Sequence, residues 1–216
     1  MLRSHDFAAE FELTEIRAKE AYLRKAFIKT AKVTNLEKGY VSVPFVNQLI
    51  DLELQGLASD LVVFKFRQMP IDKVVMIPNS GNVLATTVAE RLQKPLVLGR
   101  KGRAIPGSWN NPIIVEEETA SFTTGEKSSF VFNGLEPGDN VLVVDDVIAL
   151  GNTSVQIVDT FGRRGIGVSG LAVYFAKLFQ SGVETLQNEL GVNPFYVIGI
   201  NSMNEDGTVN LSPPHF

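Results

Sequence analysis

VLVVDDVIALGNTS (residues 141–154) decides the reading of this chain. Val141 to Val144 form an apolar run suited to a strand covered on both faces. Asp145 and Asp146 follow at its carboxyl end, where open α/β sheets place their ligands. Gly151, Asn152 and Thr153 then allow a tight turn into a helical pattern, with backbone N–H groups aimed at an anion. An anion cradle beside two carboxylates suits a ligand that carries a phosphate together with hydroxyls or a metal. The plainer reading of the same run is an ordinary strand-turn-helix with solvated aspartates.

At 216 residues and 44% hydrophobic content, the chain can bury a substantial core. Its net charge of −4 gives no electrostatic reason to expect nucleic acid or an acidic membrane as partner. No run approaches the roughly 18 apolar residues of a membrane helix, and the start lacks a signal-peptide core, so a cytoplasmic protein is expected. There are no cysteines, which removes disulfides, thiolate zinc sites and cysteine nucleophiles. The two histidines, His5 and His215, lie near opposite ends, which disfavours a Ser-His-Asp triad or a histidine metal cluster.

Outward from residues 141–154 the pattern alternates. An amphipathic helix or two covers about Phe7 to Lys32, acidic early and basic late as the helix dipole prefers. Tyr40 to Val43 is extended, and one helix is predicted from about Pro44 to Phe64 by apolar residues at three- and four-residue spacing. Strands are predicted at Val74–Ile77, Pro95–Gly99, Val168–Phe175 and Phe195–Ile200, and helices at Asn82–Leu92, from Thr153 to about Arg164, and at Val183–Leu190. Pro112–Val115 and Ser128–Phe132 read as two arms of a hairpin region around Thr124-Gly125. This alternation predicts an α/β fold with an open, mostly parallel sheet and helices on both faces.

The 141–154 run also resembles the signature of the type I phosphoribosyltransferases. In that family two acidic residues hold the ribose hydroxyls of phosphoribosyl pyrophosphate (PRPP), and the following loop, typically Ala-Thr-Gly-Gly-Thr, wraps the 5-phosphate. The resemblance implies that Asp145 and Asp146 hold the sugar and its magnesium indirectly, and that Ala149, Leu150, Gly151, Asn152 and Thr153 form the phosphate loop. Leu150 stands for a hydroxyl residue and Asn152 for a glycine. PNSGN (78–82) falls at the family's pyrophosphate loop: Ser80 and Gly81 match, whereas Pro78 and Asn79 do not.

From about Tyr40 onward the chain resembles the xanthine phosphoribosyltransferase branch. That likeness implies a base pocket lined by Tyr40, Asn47 and Lys177, with Ala176 replacing a glutamate beside the lysine. A lysine offers donors only, which complements the carbonyl of a 6-oxopurine better than the amino group of adenine. Arg100-Lys101 and the following GRAIPGSW resemble the lid of adenine phosphoribosyltransferases, implying pyrophosphate contacts from both cations; Trp109 either caps or packs on that loop. The resemblance divides the chain into a helical arm, residues 1–38, and a phosphoribosyltransferase-like domain, residues 39–216. It implies a cytoplasmic homodimer acting on PRPP, with Mg2+, and a purine base. The alternatives are an adenine-specific enzyme or a non-catalytic sensor of PRPP or nucleotide. A receiver-like phosphoacceptor is disfavoured because the acidic pair comes late in the sheet.

Overall fold

The computed structural model describes residues 4–78, 80–102, 111–116 and 129–216. Its centre is the predicted apolar run. Strand β8 (Asn140–Ile148) lies between β3 (Lys73–Met76) and β9 (Gly167–Lys177), parallel to both. With β4 (Leu96–Leu98), β10 (Phe195–Met203) and β11 (Val209–Leu211), these strands make a six-stranded sheet of order β11-β10-β9-β8-β3-β4. Every pairing is parallel except the hairpin of β10 with β11.

Side chains alternate across a strand, so each inner strand serves two cores. Leu142 and Val144 face a core shared with α1 (Ser4–Thr30), α3 (Leu52–Phe66) and α4 (Asn82–Leu92). Val141 and Val143 face the opposite core, built with α5 (Asn152–Arg163), α6 (Gly182–Leu190) and the small sheet β5-β7-β6. All four valine and leucine side chains are fully buried, as a strand covered on both faces requires. The small sheet comprises β5 (Arg100–Lys101), β6 (Ile113–Glu116) and β7 (Ser129–Phe132), with β6 and β7 antiparallel as the hairpin reading expected. The Thr124-Gly125 tip lies outside the described residues.

Helix α1 packs on α3, where Ile16, Leu23 and Phe27 join the same core as Leu61 and Val144. Its buried Glu20 accepts the main-chain N–H groups of His215 (2.7 Å) and Phe216 (3.1 Å), which ties the C-terminal segment to the helix. A short hairpin, β1 (Lys32–Asn35) with β2 (Tyr40–Ser42), leads from α1 into the sheet domain.

The single helix predicted from Pro44 to Phe64 is instead two. Helix α2 (Pro44–Asn47) stops, and α3 restarts at Leu52 with Asp51 as its N-cap, accepting from the N–H groups of Glu53 and Leu54. Buried Gln55 reaches back to donate to the carbonyls of Phe45 and Val46, both at 3.1 Å, which satisfies the end of α2. The break leaves Asn47 as the last residue of α2, facing the carboxyl ends of the strands.

Candidate active site

The acidic pair does not end its strand. β8 continues through Asp145 and Asp146 to Ile148, paired only with β9. What ends there is the neighbour: the last β3–β8 pair is Met76 with Val144, and Ile77 N–H donates to the Val144 carbonyl at 3.0 Å. Beyond that point β3 turns away through Pro78. From β3 the chain crosses by α4 to β4 on one side; from β8 it crosses by α5 to β9 on the other. The crevice between β3 and β8 is therefore the topological switch point, where open α/β sheets bind ligands.

Three loops converge on this crevice. After β3, Ser80 and Gly81 lead into α4, and Gly81 packs directly on β8: a Cβ there would lie 2.8 Å from Asp145 Cα and 3.1 Å from the Val144 carbonyl oxygen. Asn79 lies outside the described residues. After β8, Ala149 to Thr153 turn into α5 through Gly151 at φ +79°, a left-handed conformation that favours glycine. No side chain caps α5. The N-terminus of α5 thus opens onto this loop, the arrangement that anion sites use. Leu150 is 40% exposed in this loop, where it offers no hydrogen bond. After β9, residues 178–181 connect Lys177 to α6, whose first residue, Gly182, donates its N–H to the Ala149 carbonyl at 3.0 Å.

Asp145 and Asp146 differ electrostatically. Asp145 is pushed well above the usual carboxylate range, first by burial and then by the negative charge of Asp146; its Oδ1 accepts the Asp146 main-chain N–H at 2.8 Å. Asp146, 9% exposed, accepts from Asn47 Nδ2 at 2.7 Å. Burial lowers the pKa of Lys177, and the Asp146 charge opposes that shift. The Lys177 ammonium stands 5.9 Å from the centre of the Tyr40 ring, within cation–π range. Tyr40, Asn47, Asp146 and Lys177, from four separate elements, therefore form one cluster.

Arg100 and Lys101 are exposed on β5, paired with Val131 and Phe130 of β7, and among the described residues neither makes an ion pair. Gly99, just before them, lies against the Met76 carbonyl and the Phe132 ring, so β5 departs beside the carboxyl end of β3. Gly102 continues the pairing by donating its N–H to the Ser129 carbonyl at 2.8 Å, and the remainder of the expected lid, with Trp109, lies outside the described residues. Sequence reasoning missed Gln180, whose buried Oε1 has no hydrogen-bond partner among the described residues and whose Nε2 would be 3.0 Å from a Cβ at Gly39. It also missed Gly182. Neither residue type carries a pattern that one sequence can reveal.

These features define a doubly wound α/β protein with a candidate site at the sheet's switch point. No protein-family model matches the chain. The xanthine phosphoribosyltransferase of Pseudomonas aeruginosa (strain LESB58) is 30% identical over 147 residues, covering 67% of this chain and 76% of that protein. The xanthine phosphoribosyltransferase of Lachnoclostridium phytofermentans is 30% identical over 168 residues, covering 76% and 84%. Among solved structures, adenine phosphoribosyltransferase from Rhodothermus marinus has a TM-score of 0.66 at 24% identity, covering 85% of this chain and 99% of that one. The Trypanosoma brucei adenine phosphoribosyltransferase, solved with AMP, pyrophosphate and ribose-5-phosphate, has a TM-score of 0.64 at 24% identity, covering 82% and 79%. The chain belongs to the type I phosphoribosyltransferase family. The structural likenesses bear on its fold alone.

Proposed function

We propose that this protein transfers the phosphoribosyl group of PRPP to a purine base, with a 6-oxopurine such as xanthine preferred, releasing pyrophosphate. The observation that carries the reading is the meeting of Asp146 with Asn47 and Lys177, on the strand that leads through the Gly151 turn into α5. Sugar, phosphate and base would then have adjoining places at one crevice.

In this reading the 149–153 loop and the start of α5 hold the 5-phosphate, Asp145 and Asp146 orient the ribose hydroxyls, and Ser80 and Gly81 line the pyrophosphate end. Among the described residues no three His, Cys, Asp or Glu side chains gather to hold a metal of their own. Two adjacent carboxylates suit a magnesium ion that arrives with the sugar and pyrophosphate oxygens, hard ligands that leave the metal several waters. The ion would offset charge on the leaving group. As the bond from the sugar C1 to the pyrophosphate oxygen breaks, the base nitrogen forms its bond to C1 and its N–H proton leaves to solvent or to the departing pyrophosphate. Positive charge that develops on the sugar is met by the adjacent carboxylates. Lys177 donates to a carbonyl of the base, and Tyr40 supplies an aromatic wall. Arg100 and Lys101 approach the pyrophosphate from β5 and help exclude water from C1.

The test is product formation from labelled PRPP and magnesium with xanthine, hypoxanthine, guanine and adenine. Nucleoside monophosphate with an oxopurine, and less with adenine, is expected. Tight PRPP binding without product from any base would favour the sensor reading, which the apolar Leu150 in the phosphate loop supports. Efficient use of adenine alone would assign the adenine-specific activity.

A further inference from the structure

A cavity of about 390 Å³ lies between α1 and the C-terminal segment, and it shares no lining residue with the switch-point crevice. Two ties hold that segment over the helix. Arg24 donates to the Ser212 carbonyl, and Glu20 accepts the N–H groups of His215 and Phe216. Between the ties stand Pro213 and Pro214, which have no N–H to donate and a fixed φ, so the segment bridges α1 rather than settling on it. The Phe216 ring is held edge-on to Phe64, 5.4 Å between centres, which fixes the far wall. Ala21, Ile28, Pro214 and Phe216 make most of the lining apolar. Arg17 lies two helical turns before Arg24 and Lys25 on the same face of α1, and all three also line the cavity. None of them makes an ion pair among the described residues. The one lining acid, Glu20, is 1% exposed and already takes two N–H donors. Three cations against one carboxylate leave a surplus of two positive charges, in a chain whose net charge is −4.

We propose that this cavity is a ligand site separate from the crevice, and that it takes a phosphate monoester carried on a flat apolar ring. The inference stands whether or not the crevice transfers a phosphoribosyl group. The volume falls within the range of about 300–1,000 Å³ that small-molecule pockets span. A ring enters between Ile28, 59% exposed in the free protein, and the Phe216 side chain, where burial of its faces is favourable. The apolar stems of Arg17, Arg24 and Lys25 line the wall while their charged heads reach the mouth. There a guanidinium can meet two phosphate oxygens at once. A dianionic monoester offsets both surplus charges, whereas a monocarboxylate offsets one. Inorganic phosphate has the charge without the ring, and a neutral ring has the reverse, so neither uses both features of the site.

The experiment is calorimetry at about pH 7.5, where a phosphate monoester is mostly dianionic, with four probes: 1-naphthyl phosphate, 1-naphthoate, inorganic phosphate and 1-naphthalenemethanol. The naphthyl phosphate should bind about tenfold or more tightly than the naphthoate, and the other two more weakly still. Arg17→Gln with Lys25→Gln removes two exposed cations and leaves the Arg24 tie to Ser212 in place. It should weaken naphthyl phosphate binding about ten- to a hundredfold, the range of hydrogen bonds to a charged group. Ala21→Trp, exposed on α1, fills the cavity without changing its charge and should abolish binding. The glutamine variant touches no buried residue, so it decides the matter even where the tryptophan fails to fold. Naphthyl phosphate affinity unchanged in the glutamine variant would place the probe elsewhere and overturn the proposal. Naphthoate binding as tightly as the phosphate, inorganic phosphate binding equally well, or no binding of naphthyl phosphate at millimolar concentration would each overturn it too.

Discussion

Gly182, the first residue of α6, and Gly151, the turn residue of the phosphate loop, are in backbone contact. A Cβ on Gly151 would lie 2.9 Å from the Gly182 carbonyl oxygen, and one on Gly182 would lie 2.8 Å from the Gly151 nitrogen. The N–H of Gly182 holds the Ala149 carbonyl at 3.0 Å. The loop proposed to hold the 5-phosphate is thus braced by the start of α6, which residues 178–181 connect to Lys177 on the base side. Gly182→Ala should displace the Ala149–Gly151 backbone, because besides the Ile148 side chain the new methyl would meet the Ala149 carbonyl oxygen and the Gly151 nitrogen, neither of which can move without the loop. The KM for PRPP should rise about tenfold or more, with the KM for the base changing less. The overpacking cost is on the order of 1–3 kcal/mol. Steady-state kinetics against both substrates, with circular dichroism to show a retained fold, checks this; an unchanged KM for PRPP would refute it.

Asp145 should destabilise the ligand-free protein. In the unfolded chain an aspartate titrates at about 3.9, whereas burial and Asp146 raise the Asp145 value in the folded state. Between those two values folding takes up a proton. Stability therefore falls as pH rises through the window, and above the folded-state value the penalty stays constant. Asp145→Asn removes that penalty. Its Tm without ligand should exceed the wild-type value at pH 7, by roughly 2–4 °C for each kcal/mol recovered. The gap should narrow as pH falls toward about 4 and close below it, where the wild-type residue is protonated in both states. Turnover should be abolished in the same variant, and Asp145→Asn with Asp146→Asn should lose PRPP binding in calorimetry. Site residues that are stable only with ligand are a common cost of function. A double variant that binds PRPP with wild-type affinity would remove both aspartates from the sugar site.

Lys177 sets the expected base preference. It lies at the end of β9, close enough to Asp146 for the two charges to interact, and over the Tyr40 ring. An ammonium has no acceptor to offer the amino group of adenine. Lys177→Met keeps a long apolar side chain and removes the donors. It should lower kcat/KM with xanthine by about ten- to a hundredfold, the range of a hydrogen bond to a charged group. Its effect with adenine should be small. Competition between the two bases in one assay gives the ratio directly, and a variant that keeps the wild-type ratio would exclude Lys177 from base selection.

The central sheet was legible because its physics is local. Val141–Val144 and Val74–Ile77 are short apolar runs bounded by turns, and strands buried on both faces require that composition. Helix α5 was legible from the Gly151 turn and the pattern after it. The α2–α3 break was not: apolar spacing runs unbroken from Val46 to Phe64, and what interrupts it is a cap by Asp51 and a tertiary bond from buried Gln55. Such side-chain bonds to the backbone outweigh helical periodicity without disturbing it. The Asp pair was placed at a strand end because the apolar run ends there, yet β8 persists while β3 stops, a property of the neighbour rather than of the run. The Asn47–Asp146 bond joins residues 99 apart and leaves no trace in spacing. Family resemblance named both residues, but in separate halves of the site.

Arg100 and Lys101 stand exposed on β5 without ion pairs among the described residues, anchored to β7 at the rim of the crevice. Two unpaired cations that flank a proposed pyrophosphate site should act on the leaving group. Arg100→Ala with Lys101→Ala should lower kcat with PRPP, leave the fold intact, and make activity less sensitive to salt, because fewer exposed charges attract the anion. The protein is expected to be a closed two-fold dimer, the commonest soluble oligomer, with this strand serving the partner's crevice. Sharing makes a sharp prediction. Mixing the Arg100→Ala, Lys101→Ala variant with the inactive Asp145→Asn, Asp146→Asn variant should restore activity, since half of the sites in a hybrid dimer would carry both intact sets. Native mass spectrometry of the mixture must first show that subunits exchange. Hybrids that form and stay inactive, or a fully active monomer by light scattering at assay concentration, would confine the two cations to their own chain's site.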